Sequence, residues 1–202
     1  MQAHGRTNDR DAPESFEQDA DDVGALLKHL QIAKANFLGF SNGGSTTLQI
    51  AIRHPGIVNK IAVVSGACKR DGFIPGFFEG MPGATIANMP EFLKEAFLKV
   101  TPDKNKLQAM FDKDKERMIN FKDWPDDDLR SIKAPTLLMV ADHDVITAEH
   151  TVQMSRLITG SRLAILPGTH SEIIGEAGIV KDGDKLHEIT VALVHAFLNE
   201  QA

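Results

Sequence analysis

The chain has little of several features that would each point to a particular class of protein. Its 202 residues include a single cysteine, Cys68, so an internal disulfide is excluded and a reducing compartment is compatible. No apolar run reaches about 18 residues, and the first residues lack the apolar core of a signal peptide. The net charge of −6 provides no basic field for nucleic acid or for an anionic membrane. These absences predict a soluble cytoplasmic protein.

What is present is enough apolar material for one sizeable core. The chain is 42% hydrophobic, and at 202 residues it can bury one core with a small excursion attached. No internal repeat and no low-complexity linker interrupts it. Cys68 follows an apolar run, which favours a small buried thiol over a catalytic one.

Helical and strand patterns alternate along both ends of the chain. Ser15 followed by Gln18 resembles a capping box, and it predicts a helix to about Leu30. The further predicted elements are a strand at 35–40, a helix at 43–54, a strand at 60–65, a strand at 136–141, a helix at 148–158, a strand at 162–166 and a helix at 184–199. Strands separated by helices predict parallel pairing, so the fold class is α/β, a mostly parallel sheet with flanking helices.

The middle of the chain breaks this alternation. Two helices are predicted at 90–100 and 103–121, with apolar faces formed by Phe92, Phe97, Leu107, Met110, Phe111 and Met118. Two interpretations fit this stripe: ordinary core packing, or a lid whose inner face lines an apolar acyl pocket. The acidic run 126–128 is predicted to cap a short helix or to face solvent.

A serine flanked by glycines follows the first predicted strand. Gly39-Phe40-Ser41-Asn42-Gly43 joins that strand to a helix, and this Gly-x-Ser-x-Gly spacing is what a nucleophile elbow needs. The interpretation requires both glycines, because a side chain at either position would collide with the neighbouring strand or helix. The pattern alone is weak.

Polar groups at the ends of two later strands strengthen this interpretation. Asp142 and Asp144 follow the strand at 136–141, and His170 follows the strand at 162–166. Ligands gather at the carboxyl ends of parallel strands, and serine, acid, histidine is the triad order of α/β-hydrolases. We assign Ser41 as nucleophile, His170 as general base and then acid, and Asp144 as the orienting carboxylate. The backbone N–H of Asn42 would be an oxyanion donor.

The chain resembles the α/β-hydrolase superfamily. The stretches that carry the resemblance are 38–44, 135–144 and 166–170, and the His-Gly-Arg-Thr segment at 4–7 resembles the family's turn after its fourth strand. Ala141 stands where the family usually has the glycine of Gly-x-x-Asp, so the acid maps to Asp144, with Asp142 as the fallback. The resemblance extends from Gln2 to Asn199. It implies a partial hydrolase core at 1–68 and 131–202, and a helical lid at 69–130.

The resemblance also implies that four strands of the family lie upstream of this sequence. The strand at 35–40, central in the full fold, is then expected to be a sheet edge that invites pairing with another chain. The loop after the family's third strand, which supplies the second oxyanion donor, is not in this sequence. Loss of one such donor costs on the order of 10² to 10³ in rate. A weakly active or inactive chain, or a homodimer through strand 35–40, is therefore expected.

Two functions of different classes fit these residues. The first is a serine hydrolase that cleaves a carboxylic ester or similar small acyl substrate through an acyl-enzyme. Carbon–carbon hydrolysis of a diketone and perhydrolysis use the same set, whereas dehalogenases and epoxide hydrolases have an aspartate at the elbow. The second is a non-catalytic binding or interaction protein on the same scaffold. No cofactor is implied, and His143 and His150 show no spacing typical of a metal site.

Overall fold

Four parallel strands form the centre of the molecule. The computed structural model describes residues 1–176, 179–180 and 183–200. The strands are β1 (Ala35–Phe40), β2 (Val58–Val64), β3 (Thr136–His143) and β4 (Arg162–Thr169). They lie in the order β1-β2-β3-β4, and every neighbouring pair is parallel. The predicted α/β class with a parallel sheet is confirmed.

Helices connect and cover these strands. They are α1 (Phe16–His29), α2 (Asn42–Arg53), α3 (Phe77–Gly80), α4 (Glu91–Val100), α5 (Lys104–Ile119), α6 (Asp126–Ser131), α7 (Ala148–Leu157) and α8 (Leu186–Asn199). Short 3-10 turns lie at Pro55–Ile57, Arg70–Gly72, Met81–Gly83 and Ile86–Asn88. Within the described ranges, no helix has the length and apolar character needed to cross a bilayer.

Side-chain oxygens cap exposed backbone N–H groups at the start of α1, α5 and α7. The Ser15 hydroxyl accepts a hydrogen bond from the Gln18 N–H at 3.1 Å, as the predicted cap requires. The last helix begins at Leu186, two residues later than predicted, because the Asp184 carboxylate accepts from the Leu186 N–H at 2.9 Å. The acidic run 126–128 forms the first turn of α6, where negative charge interacts favourably with the helix dipole.

Two strand ends differ from the predicted ends in a way that matters for the site. Strand β3 continues to His143 and β4 to Thr169, because these two residues still pair with each other. Strand β2 ends at Val64, so Ser65, predicted as its last residue, lies in the turn beyond it. Both differences move polar side chains to the same edge of the sheet.

The two faces of the sheet are buried by different helices. Helices α1, α2, α6 and α7 cover one face, in a cluster that includes Phe16, Leu48, Ile61, Leu129, Leu138 and Met154. Helix α8 covers the other face, where Val194 and Phe197 pack against Ala62, Val64 and Met139. The centres of strands buried on both faces are apolar, as at 61–64 of β2 and 137–141 of β3, so the sequence predicted both strands.

The segment at 69–130 divides between two packing environments. Phe97, Leu107 and Met110 form a small cluster with Ala3, separate from the main core. Met118, Phe121 and Trp124 instead join the main core beside Phe16. Core packing therefore accounts for most of the apolar stripe. The division into a hydrolase core and a lid at 69–130 stays a prediction.

Strand β1 is an edge of the described sheet. It pairs with β2 on one side, and the sheet order places no described strand on the other. The Leu38 side chain on this strand is exposed, with a relative accessibility of 53%. This arrangement agrees with the expected exposed edge at 35–40.

Candidate active site

Ser41 lies at the apex of a sharp turn between β1 and α2. Its backbone has φ 54° and ψ −122°, a conformation that L-residues rarely adopt. The Ser41 N–H donates to the carbonyl of Val64 at 2.9 Å, and helix α2 begins at the next residue, Asn42. A strained serine between strand and helix has the geometry of a nucleophile elbow.

Only one of the two flanking glycines is required by space in this structure. A Cβ on Gly39 would lie 2.1 Å from the carbonyl oxygen of Gly43 and 2.3 Å from Thr47 Oγ1. A Cβ on Gly43 would meet no atom within 4 Å, so the expectation of a collision there is wrong. The tight position is instead Gly44, whose Cβ would lie 3.0 Å from the Cα of Gly66.

The other two predicted side chains meet Ser41 at the carboxyl edge of the sheet. His170 Nε2 lies 3.0 Å from Ser41 Oγ, and His170 Nδ1 lies 2.6 Å from Asp144 Oδ1. The imidazole thus bridges a hydroxyl and a carboxylate that are 103 residues apart in sequence, from 41 to 144. In such a series of hydrogen bonds the hydroxyl can pass its proton to the imidazole, and the carboxylate stabilises the imidazolium that forms.

Asp144 is buried but well supplied with hydrogen-bond donors. Besides His170, it accepts from Ser65 Oγ at 2.5 Å, from the Ile146 N–H at 3.0 Å and from the Ala141 N–H at 3.4 Å. Burial opposes ionisation, but the hydrogen bond and charge of His170, with the donors Ser65 and Ile146, hold the pKa of Asp144 below its usual value. The carboxylate is therefore ionised at neutral pH.

The alternative acid, Asp142, occupies a different place. Its side chain is exposed and accepts from the Gly168 N–H at 2.8 Å. This contact joins the ends of β3 and β4, two residues before His170. The structure brings Asp144, and not Asp142, to the imidazole.

A cavity of about 600 Å³ opens beside Ser41. The Phe40 ring covers the His170 imidazole, with ring centroids 4.6 Å apart and planes tilted by 37°. The lining residues are Met1, His4, Phe40, Ser41, Asn42, Gly43, Pro90, Phe92, Leu93, Asp114, Arg117, His170, Ser171, Glu176 and Ile179. Phe92 and Leu93 come from the start of α4, so this part of the 69–130 segment borders the candidate site.

One contributor to the site was not identified from the sequence. Ser65 follows β2, and its hydroxyl bonds the same carboxylate that His170 uses. The sequence did contain a signal for Ser65. Polar residues were considered only after the strands at 35–40, 136–141 and 162–166, whereas Ser65 was assigned to the last position of the remaining strand, at 60–65. A polar residue ending an otherwise apolar strand belongs to the same edge of the sheet.

A second group of charged side chains borders the same cavity through Arg117, Asp114 and His4. Arg117, at the end of α5, contacts Glu14 at 3.2 Å, Asp19 at 3.0 Å and also Asp114. His4 Nε2 lies 3.1 Å from Asp114 Oδ2. The side chains of Arg117, Glu14 and Asp19 are nearly fully buried, with relative accessibilities of 2%, 1% and 1%.

Glu14 in this group differs from Asp144 in its hydrogen bonding. Neither of its carboxylate oxygens has a hydrogen-bond partner in the described structure. Burial, only partly offset by the charge of Arg117, raises the pKa of Glu14 to about 7. In the described part of the chain, His4, Glu14 and Asp114 also form the one group of side chains close enough to hold a metal ion together. The Arg117 guanidinium already binds two of these carboxylates.

Cys68 lies in a third environment. It is buried, with its Sγ 3.6 Å from His150 Nε2, as expected for a structural thiol. Burial raises the pKa of Cys68 to about 12, so the thiolate needed for nucleophilic chemistry is absent at neutral pH. His150 bonds the Cys68 N–H and is separate from the exposed His143.

Comparison with known proteins identifies similar chains. Residues 2–99 match the family described as "alpha/beta hydrolase fold". The chain is 27% identical over 189 residues to "Serine hydrolase BPHL" from Homo sapiens, covering 83% of this chain and 60% of that protein. It is 28% identical over 173 residues to "Uncharacterized carboxylesterase nap" from Bacillus subtilis, covering 77% of this chain and 54% of that protein. The chain thus spans little more than half the length of these relatives.

Solved structures share the fold at low sequence identity. The enol-lactonase from Burkholderia xenovorans LB400 superposes with a TM-score of 0.71 at 20% identity, covering 99% of this chain and 79% of that one. Naproxen esterase from Bacillus subtilis gives a TM-score of 0.64 at 20% identity, covering 96% of this chain and 70% of that one.

Proposed function

We propose that this chain is a serine hydrolase of the α/β-hydrolase superfamily, which cleaves a carboxylic ester or similar acyl compound through an acyl-enzyme. The observation that supports this most is the continuous contact from Ser41 Oγ to His170 Nε2, at 3.0 Å, and from His170 Nδ1 to Asp144 Oδ1, at 2.6 Å. The names of the relatives, a serine hydrolase and a carboxylesterase, point to the same class.

Each side chain has one role in the proposed reaction. His170 Nε2 takes the proton of Ser41 as Oγ attacks the acyl carbon, and then gives it to the leaving alcohol. Asp144 orients the imidazole and stabilises the imidazolium. Water then attacks the acyl-enzyme with His170 again as base, which releases the acid and restores Ser41.

The oxyanion formed in each step needs hydrogen-bond donors. In the described part of the chain we assign one, the backbone N–H of Asn42 at the first residue of α2.

A fluorophosphonate probe tests the proposal directly, because it reacts with activated serines. Labelling of the folded chain should disappear in Ser41→Ala and persist in Ser155→Ala, which alters a serine on α7 that bonds a backbone carbonyl. Labelling that survives Ser41→Ala contradicts the proposal. No labelling of the folded wild-type chain supports the second candidate, a non-catalytic binding protein on this scaffold. Product analysis then distinguishes ester hydrolysis from carbon–carbon hydrolysis of a diketone and from perhydrolysis.

The exposed edge of β1 supports a further proposal, a homodimer through strand 35–40. Unpaired backbone groups on an edge strand accept another strand readily, and Leu38 adds exposed apolar surface there. Light scattering after size-exclusion chromatography should give twice the monomer mass for wild type. For Leu38→Lys the measured mass should fall to that of the monomer. A stable monomer contradicts this proposal. The cytoplasmic location stays a prediction from the sequence.

A further inference from the structure

A second serine at the site lies in a strained backbone conformation, as Ser41 does. Ser65, directly after β2, has φ 54° and is almost completely buried, at 1% relative accessibility. Non-glycine residues at positive φ cost free energy, and they persist where the surrounding structure holds them. The two strained serines thus follow neighbouring strands at the same edge of the sheet.

The turn that contains Ser65 is held from both sides. The Ser65 N–H donates to the carbonyl of Met139 on β3 at 2.8 Å. Two residues on, Ala67 exchanges hydrogen bonds with the hydroxyl of Ser45 on α2, at 2.8 and 3.1 Å. The side chain of Ser65 therefore has a fixed direction, and it points at Asp144.

The contact with Asp144 acts on the oxygen that the imidazole does not use. Ser65 Oγ donates to Asp144 Oδ2 at 2.5 Å, whereas His170 Nδ1 bonds Oδ1. The other neighbour of Oδ2, the Ala141 N–H, is farther away at 3.4 Å. Rotation of the carboxylate about its Cβ–Cγ bond would break the Ser65 and His170 contacts together.

We propose that Ser65 is a positioning residue, which fixes the carboxylate plane of Asp144 so that Oδ1 meets His170 Nδ1. The inference rests on the proposed function, in which Asp144 orients the imidazole. The strain at Ser65 is explained by this role, because the left-handed turn aims its hydroxyl from β2 at an acid on the neighbouring β3 loop.

Two variants separate the hydroxyl from the backbone. Ser65→Ala removes the hydroxyl and keeps a Cβ at positive φ, whereas Ser65→Gly removes it and suits this φ better. Both should lower kcat about tenfold with KM changed less than twofold, since a donor to a charged acceptor is lost. The control Thr136→Val removes a buried hydroxyl from the other end of β3, where it bonds Ala134, and should leave kcat unchanged.

A second measurement does not depend on turnover. Proton NMR of the His170 Nδ1–H reports its bond to ionised Asp144, and in an acid titration this signal should be lost at higher pH in both Ser65 variants. The reason is that Ser65 helps to hold the pKa of Asp144 low. The proposal is overturned if folded Ser65→Gly keeps both the wild-type NMR titration and the wild-type kcat. It is also overturned if these two quantities change only in Ser65→Ala. If wild type neither labels nor turns over, the proposed function fails, while the NMR titration still decides the role of Ser65.

Discussion

Asp144 and Glu14 are both buried carboxylates, yet their surroundings have opposite effects on ionisation. Asp144 accepts hydrogen bonds from His170, Ser65 and the N–H of Ile146, and its pKa lies below the usual value. Glu14 has a guanidinium nearby but no hydrogen-bond partner on either oxygen, and its pKa is raised to about 7. Burial alone therefore does not decide the charge of a carboxylate; the donors aimed at it do. The first arrangement suits chemistry, and the second makes stability depend on pH.

The largest effect should come from removing the ionised member of this pair. Asp144→Asn keeps the shape of the side chain but places an amide against the imidazole, which favours the wrong tautomer. A fall in kcat on the order of 10⁴ is expected, the size seen for the same substitution in an established Ser-His-Asp protease. Steady-state kinetics with an activated ester measures it, and Glu14→Gln should leave kcat within a few-fold. Equal losses in the two variants would remove the distinction between the carboxylates.

Removing the cation from the second group should mainly affect folding. Arg117→Met leaves Glu14, Asp19 and Asp114 together without their guanidinium, so the free energy of unfolding should fall by about 3 to 5 kcal/mol. Urea unfolding measures the change. The control Arg130→Met alters an exposed arginine that pairs within α6 and should cost about 1 kcal/mol or less. A similarly small change in Arg117→Met would contradict the assigned burial cost.

The raised pKa of Glu14 predicts a pH dependence with a definite sign. Its carboxyl binds a proton more tightly when folded, so stability is greatest below the unfolded value of 4.5 and is lost as pH rises to about 7. The variant Glu14→Gln has no group that titrates at this position. The free energy of unfolding of wild type, relative to that of Glu14→Gln, should therefore fall by roughly 3 kcal/mol as pH rises across this range. Urea unfolding of both proteins at several pH values gives this difference. A difference that stays flat, or rises with pH, would contradict the sign.

The smallest effect should come from the exposed acid beside the site. Asp142→Asn keeps a side-chain oxygen that can accept from the Gly168 N–H, and Asp142 does not contact the imidazole. Activity should stay within about twofold of wild type. A loss comparable to that of Asp144→Asn would show that Asp142 is the functional acid and that the observed contact of His170 is misleading.

Local patterns predicted most of the fold because each depends on neighbours in sequence. The strand at 35–40 and the cap at Ser15 were predicted at the right residues, since period, capping and apolar runs are local properties. The grouping of Ser41, His170 and Asp144 was also predictable, from the rule that the carboxyl ends of parallel strands share an edge. Gly43 shows the limit, because the space around a glycine depends on which elements approach it.

The sequence by itself determined the parallel α/β architecture, the edge at which polar side chains meet, and the candidates Ser41 and His170 with Asp144 or its fallback Asp142. The tertiary structure decided which acid contacts His170, that Ser65 joins it, and that Glu14 is left without a donor. The physical reason is that these outcomes depend on distances of about 3 Å between residues far apart in the chain. No pattern within one segment contains such distances; they arise only when the strands are packed side by side.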